Sequence, residues 1–114
     1  MLSERGRKAL LDIRDNILMA QSWTANVASE AFAEDRMRVY AVTRCLEVIS
    51  EASRRLTPDV QQRHPHIQWR EMRDAGNIYR HHYDGVQERI VLETVRRSLP
   101  ELLAVIEAEL GADR

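Results

Sequence analysis

One cysteine, Cys45, stands in this chain of 114 residues. No internal disulfide framework is possible, and that usage fits a reducing cytoplasm. Cys45 lies in the apolar run from Val42 to Ile49, where a thiol is expected to be buried and inert. No apolar stretch approaches the ~18 residues of a membrane span, and Ser3-Glu4-Arg5-Gly6 opens nothing like a signal peptide. These absences predict a soluble, cytoplasmic protein with no membrane partner. Neither sign of charge dominates, since 17 basic and 18 acidic side chains leave a formal net charge of −1. No global field draws the chain to nucleic acid, so any RNA-binding surface must be local. Aromatic residues make up only 5% of the chain, against 44% apolar residues in all. With Ala, Leu, Arg and Glu abundant, that mix favours an all-helical fold.

The length predicts one domain, residues 1–114, large enough to bury a modest core. A first helix is expected from about Ser3, its N-cap, to about Ser22. Leu10, Ile13, Ile17 and Ala20 or Gln21 step by three and four, with Leu11, Leu18 and Met19 widening the stripe. Trp23 should close that helix against the bundle. Thr24 to Ser29 reads as a polar connection ending in a second N-cap. Phe32 and Met37 introduce a long helix to about Leu56, with Val39/Tyr40, Val42/Thr43, Leu46, Ile49 and Ala52/Ser53 inward. The small residues Ala41, Ser50 and Ala52 let a neighbouring backbone come close. Thr57-Pro58-Asp59 restarts the helix, with proline at its first position.

After a loop at His64-Pro65-His66, a third main helix starts between Ile67 and Trp69. Asp84-Gly85 reads as a break, with Asp84 capping the next helix and Gln87 at the capping-box position. Val86 to Arg97 and Leu99 to Leu110 close the chain, bent or restarted at Pro100 and ended by Gly111. The architecture predicted is all-α, an antiparallel four- to five-helix up-and-down bundle.

The chain is organised around Asn77-Ile78-Tyr79-Arg80-His81-His82-Tyr83-Asp84. It places an amide, an imidazole and a phenol within seven residues, beside arginines. On a continuous helix Arg73, Asn77 and His81 fall at i, i+4 and i+8, one stripe with Arg80 at its margin. Gly76 removes a side chain beside Asn77, which suits a close backbone or ligand approach. A histidine moves protons at neutral pH, and a guanidinium holds a phosphate bidentately. RNA carries its own nucleophile in the 2′-hydroxyl, so a His/Arg pair suffices for transesterification to a cyclic phosphate. From spacing alone the same stripe reads more readily as a solvated polar helix face.

Those residues resemble a known family, and the resemblance covers most of the chain. Asp12-Ile-Arg-Asp-Asn16-Ile17 and Phe32-x-Glu-Asp35 come first. Ala41-Val-Thr-Arg44-Cys-Leu46-Glu47-Val-Ile-Ser-Glu51-Ala52 follows, then Trp69-Arg-Glu-Met72-Arg73, Asn77-x3-His81-x-Tyr83 and Leu99-Pro100-x-Leu102. Together they are similar to the HepT-like domain of the HEPN superfamily, toxins encoded beside minimal nucleotidyltransferases of the MNT type. The resemblance implies a metal-independent endoribonuclease without a cofactor, the toxin of a type VII-like toxin–antitoxin pair. It also implies a homodimer whose two motifs face one cleft on an RNA substrate, with no DNA partner. Neutralisation would come through AMPylation of Tyr83 by the cognate nucleotidyltransferase.

The family's site reads Arg-Asn-x3-His-x-Tyr, and here its arginine position holds Gly76. The guanidinium must then come from Arg73 or Arg80. Arg80 is favoured, because Arg73 would have to lean toward the helix C-terminus, against the usual direction. The catalytic set expected is therefore His81, Arg80, Arg73 and Asn77, with Tyr83 the modification site.

Other groups carry alternatives. His64 and His66 could bind a metal with His81 or His82, although no ligand array has the spacing for it. Arg44, Glu47 and Glu51 could face His81, or form an ion-paired surface row. Arg96-Arg97 reads as a solvated pair, and Trp69 and Tyr79 as packing residues. Two functions compete with the toxin reading: a catalytically weak helical partner of a nucleotidyltransferase, its loss recorded in Gly76, and a plain helical interaction domain.

Overall fold

Leu10, Ile13, Ile17 and Ala20 recur at steps of three and four, and all four are fully buried. They are the inner stripe of α1, Glu4–Thr24, and fix which way that helix faces. Ser3 caps it as expected, its hydroxyl accepting from the Gly6 N–H at 3.0 Å. The computed structural model describes residues 2–80 and 86–112, and for 75–80 and 86–87 the backbone course alone.

The single long helix expected after Phe32 is two, α2 (Ser29–Glu34) and α3 (Arg36–Ser53). Asp35 divides them with φ −92° and ψ 87°, outside the helical region. Its carboxylate accepts from the Arg38 N–H at 3.1 Å, so it is the N-cap of α3. Ser29, expected as a cap, is instead the first residue of α2, which has no side-chain cap. α3 buries Val39, Val42, Leu46, Ile49 and Ala52, the stripe predicted for it. Its neighbour Tyr40 does not point inward; it is 65% exposed. Arg55, just past α3, donates to Asp12 at 2.9 Å and ties the end of α3 to the middle of α1. Burial alone would raise the Asp12 carboxyl, but hydrogen bonds from Lys8 and Arg55 hold it below its ordinary value.

α4, Pro58–Arg63, begins with proline at its first turn, as its sequence requires. α5, Trp69–Arg80, then packs on α3, the most extensive helix pairing after that of α1 with α3. Ser50, near the end of α3, meets α5 at Arg73. Beyond Ser50 only three residues of α3 remain, so an extensive pairing requires α5 to run back antiparallel along it.

Val86–Glu93 (α6), a π-helical turn at Thr94–Ser98 and Leu99–Ala112 (α7) follow one another without interruption. The bend expected at Pro100 takes the form of that wide turn. Proline has no N–H and its ring crowds the carbonyl four residues back, which is that of Arg96. Widening the preceding turn relieves the clash, and the Leu99 N–H bonds the Thr94 carbonyl five residues back. Gly111 does not terminate the helix; it lies inside α7, Leu99–Ala112.

The result is the all-α bundle predicted. α1, α3, α5 and the α6–α7 rod are its long members, and α2 and α4 are short connectors. Among the described residues no strand occurs, and no helix is long and apolar enough to cross a membrane. Cys45 is buried in the core, and burial pushes its thiol above the ordinary value, as an inert thiol requires.

Two expectations for α1 fail together. Trp23 does not close α1 against the core but is 40% exposed, and Leu18 and Met19 on the same helix are also exposed. Met37, at the start of α3, is 81% exposed.

Candidate active site on the third long helix

α5 carries the polar stripe, and three contacts hold its first half. The Trp69 indole is buried and donates to the His64 carbonyl at 2.9 Å, as a packing residue with a satisfied polar handle should. The Arg73 carbonyl accepts from the Ser50 hydroxyl at 2.9 Å and from the Arg54 guanidinium at 2.8 Å. A carbonyl has two lone pairs, enough for both of these side-chain donors. Ser50 thus brings a neighbouring backbone close, the role expected of a small residue there. Ser50 and Arg54, four residues apart at the end of α3 and just past it, grip α5 at one peptide.

Of the predicted site residues, Arg73 is described in full. It is half-buried, and its guanidinium reaches back to the Gln61 side chain of α4 at 3.5 Å. The side chain therefore leans toward the N-terminus of its own helix, the usual direction. Asn77 and Arg80 follow along the α5 backbone at one and about two further turns. Gly76 lies on the same backbone, in the α5 segment that runs along α3. His81 and Tyr83 lie outside the described residues, as do His82 and the expected break at Asp84-Gly85.

The loop histidines take another role. His64 Nε2 lies 2.7 Å from Glu109 Oε2, and Arg63 donates to the same carboxylate at 2.6 and 3.2 Å. The Glu109 side chain is only 10% exposed. The Arg63 hydrogen bond, with help from His64, holds its carboxyl below the ordinary value in spite of burial. Glu109 belongs to α7, so this clamp ties the α4–α5 junction to the closing helix. Among the described residues no three His, Cys, Asp or Glu side chains gather as a metal site would require.

On α3, Arg44 and Glu47 approach to 3.9 Å with Arg44 largely exposed, a loose surface pair. Arg96 is not simply solvated: its guanidinium donates to the Val27 carbonyl and, at 3.5 Å, to that of Thr24. It staples the α1–α2 connection to the π-turn. Arg97 faces Glu93 at 3.7 Å on the surface. A groove of about 510 Å³ between α2 and α6 is lined by Arg89, Arg96 and Arg97 and by Glu88 and Glu93, so its charge is mixed.

The comparisons with known proteins bear on what this helix is for. Residues 13–109 match the family described as Ribonuclease HepT-like. The chain belongs to the HepT-like family. The match takes in the second half of α1, all of α3, α5 and α6 and most of α7, and with them the whole Asn77–Tyr83 motif. A protein named "Probable ribonuclease HepT" from Thermococcus cleftensis is 36% identical over 98 residues, covering 86% of this chain and 89% of its own. A Methanocaldococcus jannaschii protein named as a candidate RNase is 32% identical over 107 residues, covering 93% and 98%. A second from that organism, named likewise, is 34% identical over 93 residues, covering 82% and 74%. No solved structure is a significant match.

Proposed function

We propose that this HepT-like chain is a metal-independent endoribonuclease, the toxin of a toxin–antitoxin pair, with His81 as its proton-transfer group. The observation that carries this reading is the family match running across α5 together with the Asn77-x3-His81-x-Tyr83 pattern inside it. His81 takes the proton of a ribose 2′-hydroxyl, whose oxygen attacks the adjacent phosphorus. The bond from phosphorus to the 5′-oxygen breaks, and the leaving oxygen takes a proton from the second protomer's motif, leaving a 2′,3′-cyclic phosphate.

Arg80 is the arginine that holds the phosphate. Arg73 is already drawn back toward Gln61, about 12 Å along the helix axis from the position of His81 at 1.5 Å per residue. The homodimer follows from the thinness of one site, which two-fold pairing would double. The exposed Met37 and Tyr40, three residues apart on α3, favour a covered face of this kind. AMP transfer to Tyr83 by a cognate nucleotidyltransferase would place a nucleoside and a charge beside His81, excluding the substrate phosphate.

Gly76, in the family's arginine position, is the one observation that favours the second reading, a catalytically weak partner of a nucleotidyltransferase. Cleavage of an end-labelled single-stranded RNA of randomised sequence decides between them. The wild type and His82→Ala should cut, and His81→Ala should not. His82 is turned about 100° from its neighbour on an ideal helix. An intact substrate with wild-type protein would leave the binding role.

A further inference from the structure

The chain's helical threonines differ in what they do with their hydroxyls. Thr24 turns back to the Ala20 carbonyl at 2.9 Å, and Thr94 to the Ile90 carbonyl at 2.8 Å. That bond to the preceding turn is the default for a threonine inside a helix. Thr43, in the middle of α3, forgoes it. The residue is only 8% exposed, and its Oγ1 has no hydrogen-bond partner among the described residues. A buried hydroxyl left unpaired costs about 1–3 kcal/mol, so its persistence asks for a reason.

Its azimuth is fixed by its neighbours. Thr43 lies seven residues before Ser50, two helical turns on the same stripe of α3. That stripe faces α5, because the Ser50 hydroxyl bonds the Arg73 carbonyl. Seven residues is also the distance from Arg73 to Arg80 along α5, which runs the other way. Two antiparallel helices that meet at Ser50 and Arg73 therefore carry Thr43 to the level of the α5 backbone at 77–80, about 10 Å along the axis. Thr43 is level with the half of α5 that bears Asn77 and Arg80.

We propose that Thr43 is a positioning residue of the ribonuclease site, its hydroxyl serving the Asn77–Arg80 segment of α5 when substrate is held. A hydroxyl donates and accepts, so it meets either end of a carboxamide and also accepts from a guanidinium. Sitting on the buried side of α5, it acts on that segment and not on the phosphate itself. The inference rests on the ribonuclease reading above.

The test compares Thr43→Val, which keeps the shape and loses the hydroxyl, with Thr43→Ser, which keeps the hydroxyl. The readouts are Tm and steady-state cleavage of the same end-labelled RNA. Thr43→Val should keep or raise Tm while lowering kcat about tenfold, the factor that one hydrogen bond of ~1.4 kcal/mol accounts for. KM should stay where it is, and Thr43→Ser should restore most of kcat. A residue that only packs would give the reverse: kcat unchanged in Thr43→Val, or lost in both variants in step with a fall in Tm. Either result overturns the assignment. Wild-type protein that leaves the RNA intact refutes the ribonuclease reading and this inference with it. Cleavage equal in wild type and Thr43→Val refutes this inference alone.

Discussion

Replacing Glu109 by alanine should destabilise the protein by about 2–3 kcal/mol, within the range for charged hydrogen bonds and below that for breaking a fully buried pair. The figure follows from the surroundings. The carboxylate is 10% exposed and takes three close contacts, two from Arg63 and one from His64. Its removal strands the His64 ring, which is 17% exposed, whereas Arg63 at 49% recovers solvent. That difference puts the cost below the extreme for a buried ion pair. At ~4 °C per kcal/mol for a domain of this size, Tm should fall by roughly 8–12 °C.

The pH dependence has a definite sign. The Arg63 and His64 bonds keep the Glu109 carboxyl below its ordinary value in the folded state. A depressed acid stabilises the fold above the unfolded-state value, near ~4.3, and loses that contribution as pH falls through the folded value. The Tm gap between wild type and Glu109→Ala should therefore be full at neutral pH and shrink in acid. Thermal unfolding followed by circular dichroism across that range is the assay. A gap at neutral pH under ~2 °C, or one that persists undiminished in acid, would refute the clamp as the source of the stability.

Asp35→Ala should cost about 1 kcal/mol in denaturant unfolding through loss of the α3 cap, and Asp35→Asn much less, since asparagine caps equally well. Equal losses would mean the carboxylate acts through charge. Arg80→Lys should damage RNA cleavage by tenfold or more, about the loss of one bidentate contact, while Arg73→Lys should cost little. Activity kept in Arg80→Lys and lost in Arg73→Lys would reverse the choice. With the cognate nucleotidyltransferase, ATP and magnesium, intact mass should show AMP on wild type and none on Tyr83→Phe. Modification that persists in Tyr83→Phe would put the acceptor elsewhere.

The all-α bundle was legible because its stripes are strongly periodic: Leu10, Ile13 and Ile17 on α1, and Val42, Leu46 and Ile49 on α3, face inward as spaced. Asp35 was harder to read. Its neighbours continue a helical pattern, and only its carboxylate bond to Arg38 makes it a boundary. The burial of Val39 beside an exposed Tyr40 is a choice between adjacent flanks that periodicity leaves open. Trp23, Leu18 and Met19 misled for another reason, since apolarity alone does not say whether a side chain faces this chain's core or a surface.

Of the site, the order of residues along α5 was readable, but of its supports only the small Ser50 was, and not its partner. Ser50 and Arg54 lie 23 and 19 residues from Arg73 in sequence and meet it only through the fold. Glu109 left a trace, an acid on the inward stripe of a helix otherwise lined by Leu102, Val105 and Ile106. That pattern signals a buried charge but does not name Arg63 and His64 as its partners. The departure of Arg73 toward Gln61 agrees with the direction that long side chains take on helices.

The most direct test of the central claim is the chemistry of the cut ends. Purified wild-type protein, incubated with labelled RNA in excess chelator, should yield fragments ending in 2′,3′-cyclic phosphate and 5′-hydroxyl, and His81→Ala should yield none. Cleavage that stops on chelation, or that leaves 5′-phosphate ends, would contradict a metal-independent transesterification at His81.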